Sequence, residues 1–357
     1  MTQTSSTLPT YCITPGDPRG IGPEIVLKLL QTLSQEHTSF DLAFQLKIIG
    51  HFPTIAKTAQ ALNLPLPSED PRIEWIDIPG NPESEAGKIA VEALNISTAL
   101  IHGGQAQALI TGPIAKEALY QSGFNYHGHT EILETLANQN YAHSQPYKAD
   151  MLFLYQQFRM MLLTRHVPLR DVSHTLSINN TVATLNNTIQ FLKTYCGIDT
   201  PHLCMLGVNP HAAEIDGTEE RTILVPAIQQ ILGQQTVKIA GPLPGDAVFR
   251  GFDPLETPLS PPYDAYIAAY HDQGLIPFKL VAGYRAVNVT IGLPFIRTSV
   301  SHGTAFDIAG QGIASAESLL QALVCAHQLY QTGLETLTDD FTGDLTDPRE
   351  QFASAAH

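Results

Sequence analysis

The sequence predicts an α/β fold built on a largely parallel sheet, and three observations carry that prediction. Short apolar runs alternate with longer stretches of helical periodicity along most of the 357 residues, the pattern of strand and helix layers packed on one another. Hydrophobic residues make up 43% and charged residues 15%, so the chain can bury a sizeable core. Histidines and other polar residues gather just after strand-like runs, where α/β proteins place their sites.

The elements follow in order. "TYCIT" (10–14) reads as a strand and "PGDPRGIG" as a loop. "PEIVLKLLQTL" opens a helix, with Pro23 in its first turn and Glu24 at the positive end of its dipole. "QLKIIG" and "IEWIDI" are strand-like. "KIAVEALNISTALIHG" is a helix ending at Gly103, "QALITG" a strand, and "IAKEALYQSG" a helix stopped by Gly123. "MLFLY" and "RMMLLT" are two further strand-like runs. Val182, Leu185, Ile189 and Leu192 recur at helical spacing. "HLCMLGV" is a strand, a helix is expected from near Glu219, and "YDAYIAAY" and "AVNVTI" are strands. "AESLLQALVCAHQLYQTG" is a helix expected to end at Gly333, before an acidic, weakly patterned tail. No internal repeat or clear linker divides the chain, so two domains would be interleaved rather than consecutive.

Charge narrows the partners. With 19 Lys and Arg against 34 Asp and Glu, the net charge is −15. Nucleic acid and anionic membrane both require a concentrated positive surface and are excluded as main partners. The four cysteines are scattered, with no C-x-x-C pair, which fits reduced thiols in a cytosol. The opening "MTQTSSTLPT" lacks the basic and apolar segments of a secretory signal. No run reaches the ~20 apolar residues of a spanning helix. A soluble, cytoplasmic protein is expected.

His166 follows "RMMLLT", His211 follows "CMLGV" and His271 follows "YIAAY". Three neutral imidazoles suit a divalent ion such as zinc, cobalt or nickel and leave positions open for a substrate. Each could equally cap its strand, and the residues alone leave both readings open. "YHGHTE" holds His127, His129 and Thr130, either as a close approach to a ligand or as a helix start capped by Thr130. Lys279, Arg285 and Arg297, with Asn288, gather donors in an acidic chain, as a phosphate or carboxylate would require. "TPGDPRGIGPE" is neither G-x-G-x-x-G nor a P-loop and reads as a turn or a weak phosphate cradle. "SVSHGTAFDIAGQG" combines Gly303, Gly310 and Gly312 with His302, Thr304 and Asp307. It reads as a loop that brings backbone N–H groups to a dinucleotide, or as a long turn before the last helix.

Taken together, "ITPGDPRGIGPEI", "TGPIAKEAL", "GFNYHGHTE", "GVNPHAAEIDGTEE", "GPLPGDAVF", "YHDQGLIPFK" and "GLPFIRTSVSHGTAFDIAG" are similar to the 4-hydroxythreonine-4-phosphate dehydrogenase family of pyridoxal 5′-phosphate biosynthesis. The resemblance runs in order over nearly the whole chain. It implies an isocitrate/isopropylmalate dehydrogenase-like fold: two interleaved α/β domains with a central cleft and no Rossmann fingerprint. The expected domains are 1–125 plus 282–357, with the cofactor loop, and 126–281, with metal and dimer contacts.

The resemblance also implies NAD or NADP as cofactor, one divalent metal ion (zinc, magnesium or cobalt), a small phosphorylated amino-acid substrate, and a homodimer whose active sites draw on both subunits. By matching motif, the metal ligands fall on His166, His211 and His271, with His271 reaching the ion across the dimer. Substrate contacts fall on His129, Thr130, Lys279, Asn288 and Arg297. Gly303, Thr304 and Asp307 lie on the cofactor loop. Asp246, Asp272 and His129 are candidates for the general base. The implied reaction is oxidation of 4-hydroxy-L-threonine 4-phosphate and decarboxylation to 3-amino-2-oxopropyl phosphate. The alternative is a sister enzyme acting on 4-phospho-D-threonate or 4-phospho-D-erythronate. In one departure from the family pattern, the segment around Glu214 and Asp216 is shorter and poorer in glycine.

Overall fold

The structure is a computed structural model. It describes residues 8–34, 44–67, 69–142, 145–214, 217–250, 252–253, 255 and 258–339. The tail beyond 339 and Asp216 lie outside the described residues.

The chain divides into two compact units: residues 8–147 and 293–330 form unit 1, and residues 148–292 and 331–339 form unit 2. The chain thus leaves unit 1 and returns to it. Unit 1 opens with β1 (Thr10–Thr14), α1 (Gly22–Ser34), β2 (Gln45–Gly50), α2 (Phe52–Leu62), β3 (Ile73–Asp77), α3 (Pro82–His102), β4 (Ala108–Thr111), α4 (Lys116–Gln121) and α5 (His129–Asn140). Unit 2 follows with β5 (Asp150–Tyr155), β6 (Phe158–Leu162), α6 (Val172–Thr175), α7 (Ile178–Cys196), β7 (His202–Leu206), α8 (Val225–Leu232), β8 (Lys238–Leu243), β9 (Ala265–Ala268), α9 (His271–Ala282) and β10 (Val287–Ile291). Then come β11 (Ile296–Val300) and α10 (Glu317–Asp339).

Unit 1 carries strands in the order β3-β2-β1-β4-β11, and every pair is parallel. β4 and β11 are buried at every residue, as parallel strands covered on both faces must be. Buried polar residues interrupt the apolar runs at the C-terminal ends of β1 and β4, Thr14 and Thr111, and within β11 at Arg297, Thr298 and Ser299. The core joins Leu109 of β4 to Ile89 and Leu94 of α3 and to Ile132, Leu133 and Ala137 of α5. That packing draws residues 126–147 into unit 1, whereas the sequence had set them with the second domain.

Unit 2 carries the order β10-β5-β6-β9-β7-β8. β5 and β6 are joined by two residues, Gln156 and Gln157, so they must run antiparallel. β10 is antiparallel to β5, while β6, β9, β7 and β8 are parallel in succession. The centre is aromatic: Phe158 meets Tyr266 and Phe278 at ring-centre distances of 5.5 and 5.2 Å.

Several expectations are corrected. Gly333 does not end the last helix, which runs on to Asp339. A Cβ at Gly333 would stand 3.1 Å from Cδ1 of Tyr195, so this glycine serves close packing rather than a stop. Thr130 is not a cap: Gly128 is the N-cap of α5 and His129 its first residue. Lys279 is on no loop but within α9, which begins at His271 and continues through Pro277. Gly274 lets this helix pack closely on the sheet, because a Cβ there would stand 2.9 Å from Ala268 and Met160. Two elements escaped the sequence reading for visible reasons. α2 buries only Ile55 and Ala59, so its period is faint. β8 is a half-buried edge strand holding a glycine and a proline.

The loops after β1 and β4 cross almost without clearance. A Cβ on Gly112 would stand 2.3 Å from the carbonyl oxygen of Pro15, and one on Gly16 2.1 Å from that of Pro113. Gly112→Ala is expected to destabilise the protein by about 3 kcal/mol, the upper range for forced overpacking. Gly233→Ala, whose nearest neighbour would be 3.5 Å away, should be close to neutral. Thermal melts of the two variants check this.

Candidate active site

The site residues divide between the units. His129, Thr130, Arg297, Gly303, Thr304 and Asp307 are in unit 1. His166, His211, Asp246, His271, Asp272, Lys279 and Asn288 are in unit 2.

In unit 1 the centre is Arg297. It sits within β11, 1% exposed, with Nη2 donating to Oγ1 of Thr111 at 2.6 Å. Thr111 passes its own proton to Oγ of Ser299 at 3.1 Å, which leaves its oxygen free to accept from the guanidinium. Strand register sets this up: Ser299 pairs with Thr111, and Thr111 with Thr14. Loss of water lowers the Arg297 pKa to about 9, so the side chain is still a cation at neutral pH.

Next to it, His129 opens α5. Burial first, and then the Arg297 charge, hold its imidazole well below the ordinary histidine range, so the ring is neutral. Its Nε2 is buried and has no hydrogen-bond partner among the described residues. An unmet buried ring nitrogen costs about 1–3 kcal/mol and calls for an explanation. A ligand bearing both negative charge and a hydrogen-bond donor, seated against Arg297, supplies one. Thr130 follows, half-buried, on the same helix turn.

In unit 2 the three histidines follow the C-terminal ends of β6, β7 and β9. These strands are adjacent and parallel in the order β6-β9-β7, so the three loops leave the same edge of the sheet. The rings of His166 and His271 have centres 5.8 Å apart. A ring nitrogen bound to zinc at about 2.0–2.1 Å puts its ring centre about 3.2 Å from the ion, so two such rings fit one ion. Nδ1 of His271 donates to Oδ1 of Asp272 at 2.7 Å, which directs Nε2 outward as the acceptor a metal requires. Asp272 therefore orients His271.

His211 stands apart. Among the described residues, no group of three or more His, Cys, Asp or Glu converges within the chain to hold a metal. The His211 loop is strained, with His211, Ala212 and Ala213 at φ of 54°, 53° and 62°. It is held from Asn209, whose Nδ2 donates to both Glu219 and Glu220 and whose N–H donates to Glu220. Glu220 is buried, and the sequence singled out neither glutamate as a site residue, reading Glu219 only as a helix start.

The remaining residues lie more openly. Lys279 is exposed on α9, and Asp246 is exposed in the turn after β8. Asn288 is half-buried, with Oδ1 buried and unpartnered among the described residues. Ile276 and Leu280 of α9 and Tyr284 just beyond its end are 67%, 86% and 80% exposed, large apolar side chains left at the surface. Gly303, Thr304 and Asp307 are on an irregular loop between β11 and α10. Nothing lies within 4 Å of where a Cβ at Gly303 or Gly310 would stand, so the backbone there is open to a ligand, as a dinucleotide loop requires.

Known proteins are similar to this chain in sequence and fold. Residues 25–326 match the family described as pyridoxal phosphate biosynthetic protein PdxA. A 4-hydroxythreonine-4-phosphate dehydrogenase of Methylorubrum extorquens is 36% identical over 345 residues, covering 91% of this chain and 95% of that protein. A D-threonate 4-phosphate dehydrogenase of Salmonella typhimurium is 37% identical over 345 residues, covering 90% and 98%. The crystal structure of 4-hydroxythreonine-4-phosphate dehydrogenase from Klebsiella pneumoniae superposes with a TM-score of 0.74 at 32% identity, covering 90% of this chain and 100% of that one. The α/β fold is thus common to the chain and to a solved enzyme.

The Asn209 clamp has a pH signature. Its hydrogen bond, chiefly, lowers the Glu219 pKa from 4.5 to about 2. The unfolded chain takes up that proton first, so the contribution is whole above about pH 4.5 and is lost as pH falls toward about 2. Thermal melts from pH 6 to pH 3 should therefore fall more steeply for the wild type than for Glu219→Gln.

Proposed function

The chain belongs to the PdxA family of pyridoxal phosphate biosynthetic proteins, and from that premise we propose that it is a 4-hydroxythreonine-4-phosphate dehydrogenase. It oxidises the secondary alcohol of 4-hydroxy-L-threonine 4-phosphate with NAD or NADP. The resulting β-keto acid loses CO2 to give 3-amino-2-oxopropyl phosphate. The observation that carries the reading is the buried Arg297 beside a neutral His129 whose Nε2 has no partner among the described residues.

Arg297 binds the anionic substrate through its fork, and Thr111 keeps that fork aligned. His129 and Thr130 meet the same ligand from the first turn of α5. Lys279 adds a point charge, and Asn288 offers its unpartnered oxygen to a donor of the substrate. His166, His211 and His271 hold one divalent ion, zinc, magnesium or cobalt. Gly303, Thr304 and Asp307 hold the dinucleotide. When bound, the ion lowers the cost of negative charge on the substrate oxygen and the nicotinamide accepts the hydride. Of the three candidate bases, Asp272 is engaged with His271, so the alcohol proton goes to Asp246 or His129.

The protein acts as a homodimer in this reading. The exposed Ile276, Leu280 and Tyr284 support an apolar interface that includes α9. In the described residues, no helix is long and apolar enough to cross a membrane. With the charge of −15, this supports a cytoplasmic enzyme of small-molecule metabolism.

A second reading rests on the similarity to the D-threonate 4-phosphate dehydrogenase. A substrate panel followed by NADH absorbance separates the two: turnover is expected with 4-hydroxy-L-threonine 4-phosphate. Turnover with 4-phospho-D-threonate or 4-phospho-D-erythronate alone transfers the chain to the sister activity. In the same assay Arg297→Met should lower kcat/KM about a hundredfold or more, and Thr111→Val about tenfold, each chiefly through KM. His166→Ala and His211→Ala are each expected to lose the ion by metal analysis, and full activity in metal-free wild type would contradict the metal assignment.

A further inference from the structure

The loop between β11 and α10 is fastened at both ends to the segment around the start of α1. At its near end, the Ile21 N–H donates to the Thr304 carbonyl at 2.9 Å. Gly20 approaches so closely that a Cβ would stand 2.8 Å from that oxygen. Arg19, held on Asp17 by two hydrogen bonds of 3.1 and 2.9 Å, lies over the Phe306 ring. At its far end, Glu24 and Lys28 form a knot. Glu24 is 1% exposed and accepts from the N–H groups of Gly312 at 3.2 Å and Ala314 at 2.8 Å. Lys28 Nζ donates to Glu24 at 2.8 Å and to the carbonyls of Gly312 at 2.8 Å and Ala314 at 2.6 Å.

A buried carboxylate and its lysine are thus spent on two peptide groups nearly three hundred residues away in sequence. The glutamate satisfies two donors and the lysine two acceptors, so neither of these peptides is left unpaired. The span between the fastenings carries the positive φ values of Ala305, Gly310 and Gly312, 43°, 72° and 76°. It exposes Phe306 and Ile313. Left alone, such a backbone would sample many shapes, and binding would have to order it.

We infer that Glu24 and Lys28 are positioning residues for the nicotinamide cofactor: they hold the 303–314 loop in its binding shape before NAD or NADP arrives. The inference rests on the assignment of this loop to the cofactor. The pair touches neither substrate nor reacting atoms, so its effect falls on cofactor affinity alone.

The test is NADH binding, followed by fluorescence titration, to wild type, Glu24→Gln, Lys28→Met and Lys28→Arg, with KM for the phosphorylated substrate measured alongside. Lys28→Met is expected to weaken NADH binding about tenfold, with faster amide exchange across 303–314 and substrate KM within twofold of wild type. Glu24→Gln should do the same or more, and Lys28→Arg should recover most of the affinity. Lys28 is partly exposed, so Lys28→Met keeps the test open even where Glu24→Gln fails to fold. Wild-type NADH affinity in Lys28→Met overturns the positioning role and leaves the cofactor assignment standing. Failure of the wild type to bind either NADH or NADPH in the same titration overturns the assignment, and the inference with it.

Discussion

A guanidinium kept out of water within a parallel strand is the constraint around which unit 1 is organised. Removing an ion from water costs several kcal/mol unless its donors are satisfied. Arg297 meets that demand in part through Thr111, whose hydroxyl donates to Ser299 and so turns a lone pair toward the guanidinium. For those hydroxyls to stand side by side, β1, β4 and β11 must be neighbours in one register. For the strand ends to be sealed, the loops after β1 and β4 must cross at Gly16 and Gly112 with no room for a side chain. Burial first, and then this charge, keep His129 neutral, so the cation that attracts an anion also reinforces the neutrality of its neighbour.

Unit 2 uses a different device. Its donors are placed by topology: adjacent parallel strands send three histidine loops from one edge. Local contacts then fix His271 and the turn that carries His211. Asp272 sets the tautomer of His271, and the two glutamates on Asn209 hold the strained turn of His211. Gly274 lets α9 settle close on β6 and β9, which fixes where His271 begins its helix.

Much of this was legible in the sequence, and the boundary of legibility has a physical meaning. Strand ends at Thr14 and Thr111 could be read because apolar runs stop abruptly there. The histidines were visible because each follows such a run. Arg297 stood out because a cation within "GLPFIRTSV" has apolar neighbours. What stayed hidden was pairing over distance. Nothing local in "TGPIAKEAL" announces that Thr111 serves Arg297, 186 residues on. Nor does a glutamate in a helix's first turn reveal that it binds Gly312 and Ala314 rather than merely facing a dipole. Gly333 misled for a related reason: a glycine can mark a stop or a close approach, and only the Tyr195 ring beside it decides.

The central claim is that the buried Arg297 and the neutral His129 receive the anionic substrate. A crystal structure with 4-hydroxy-L-threonine 4-phosphate bound tests it most directly. The account requires a substrate oxygen within hydrogen-bond distance of the Arg297 guanidinium and a substrate donor on Nε2 of His129, with the Thr111 contact kept. A bound substrate that leaves both groups untouched would contradict it.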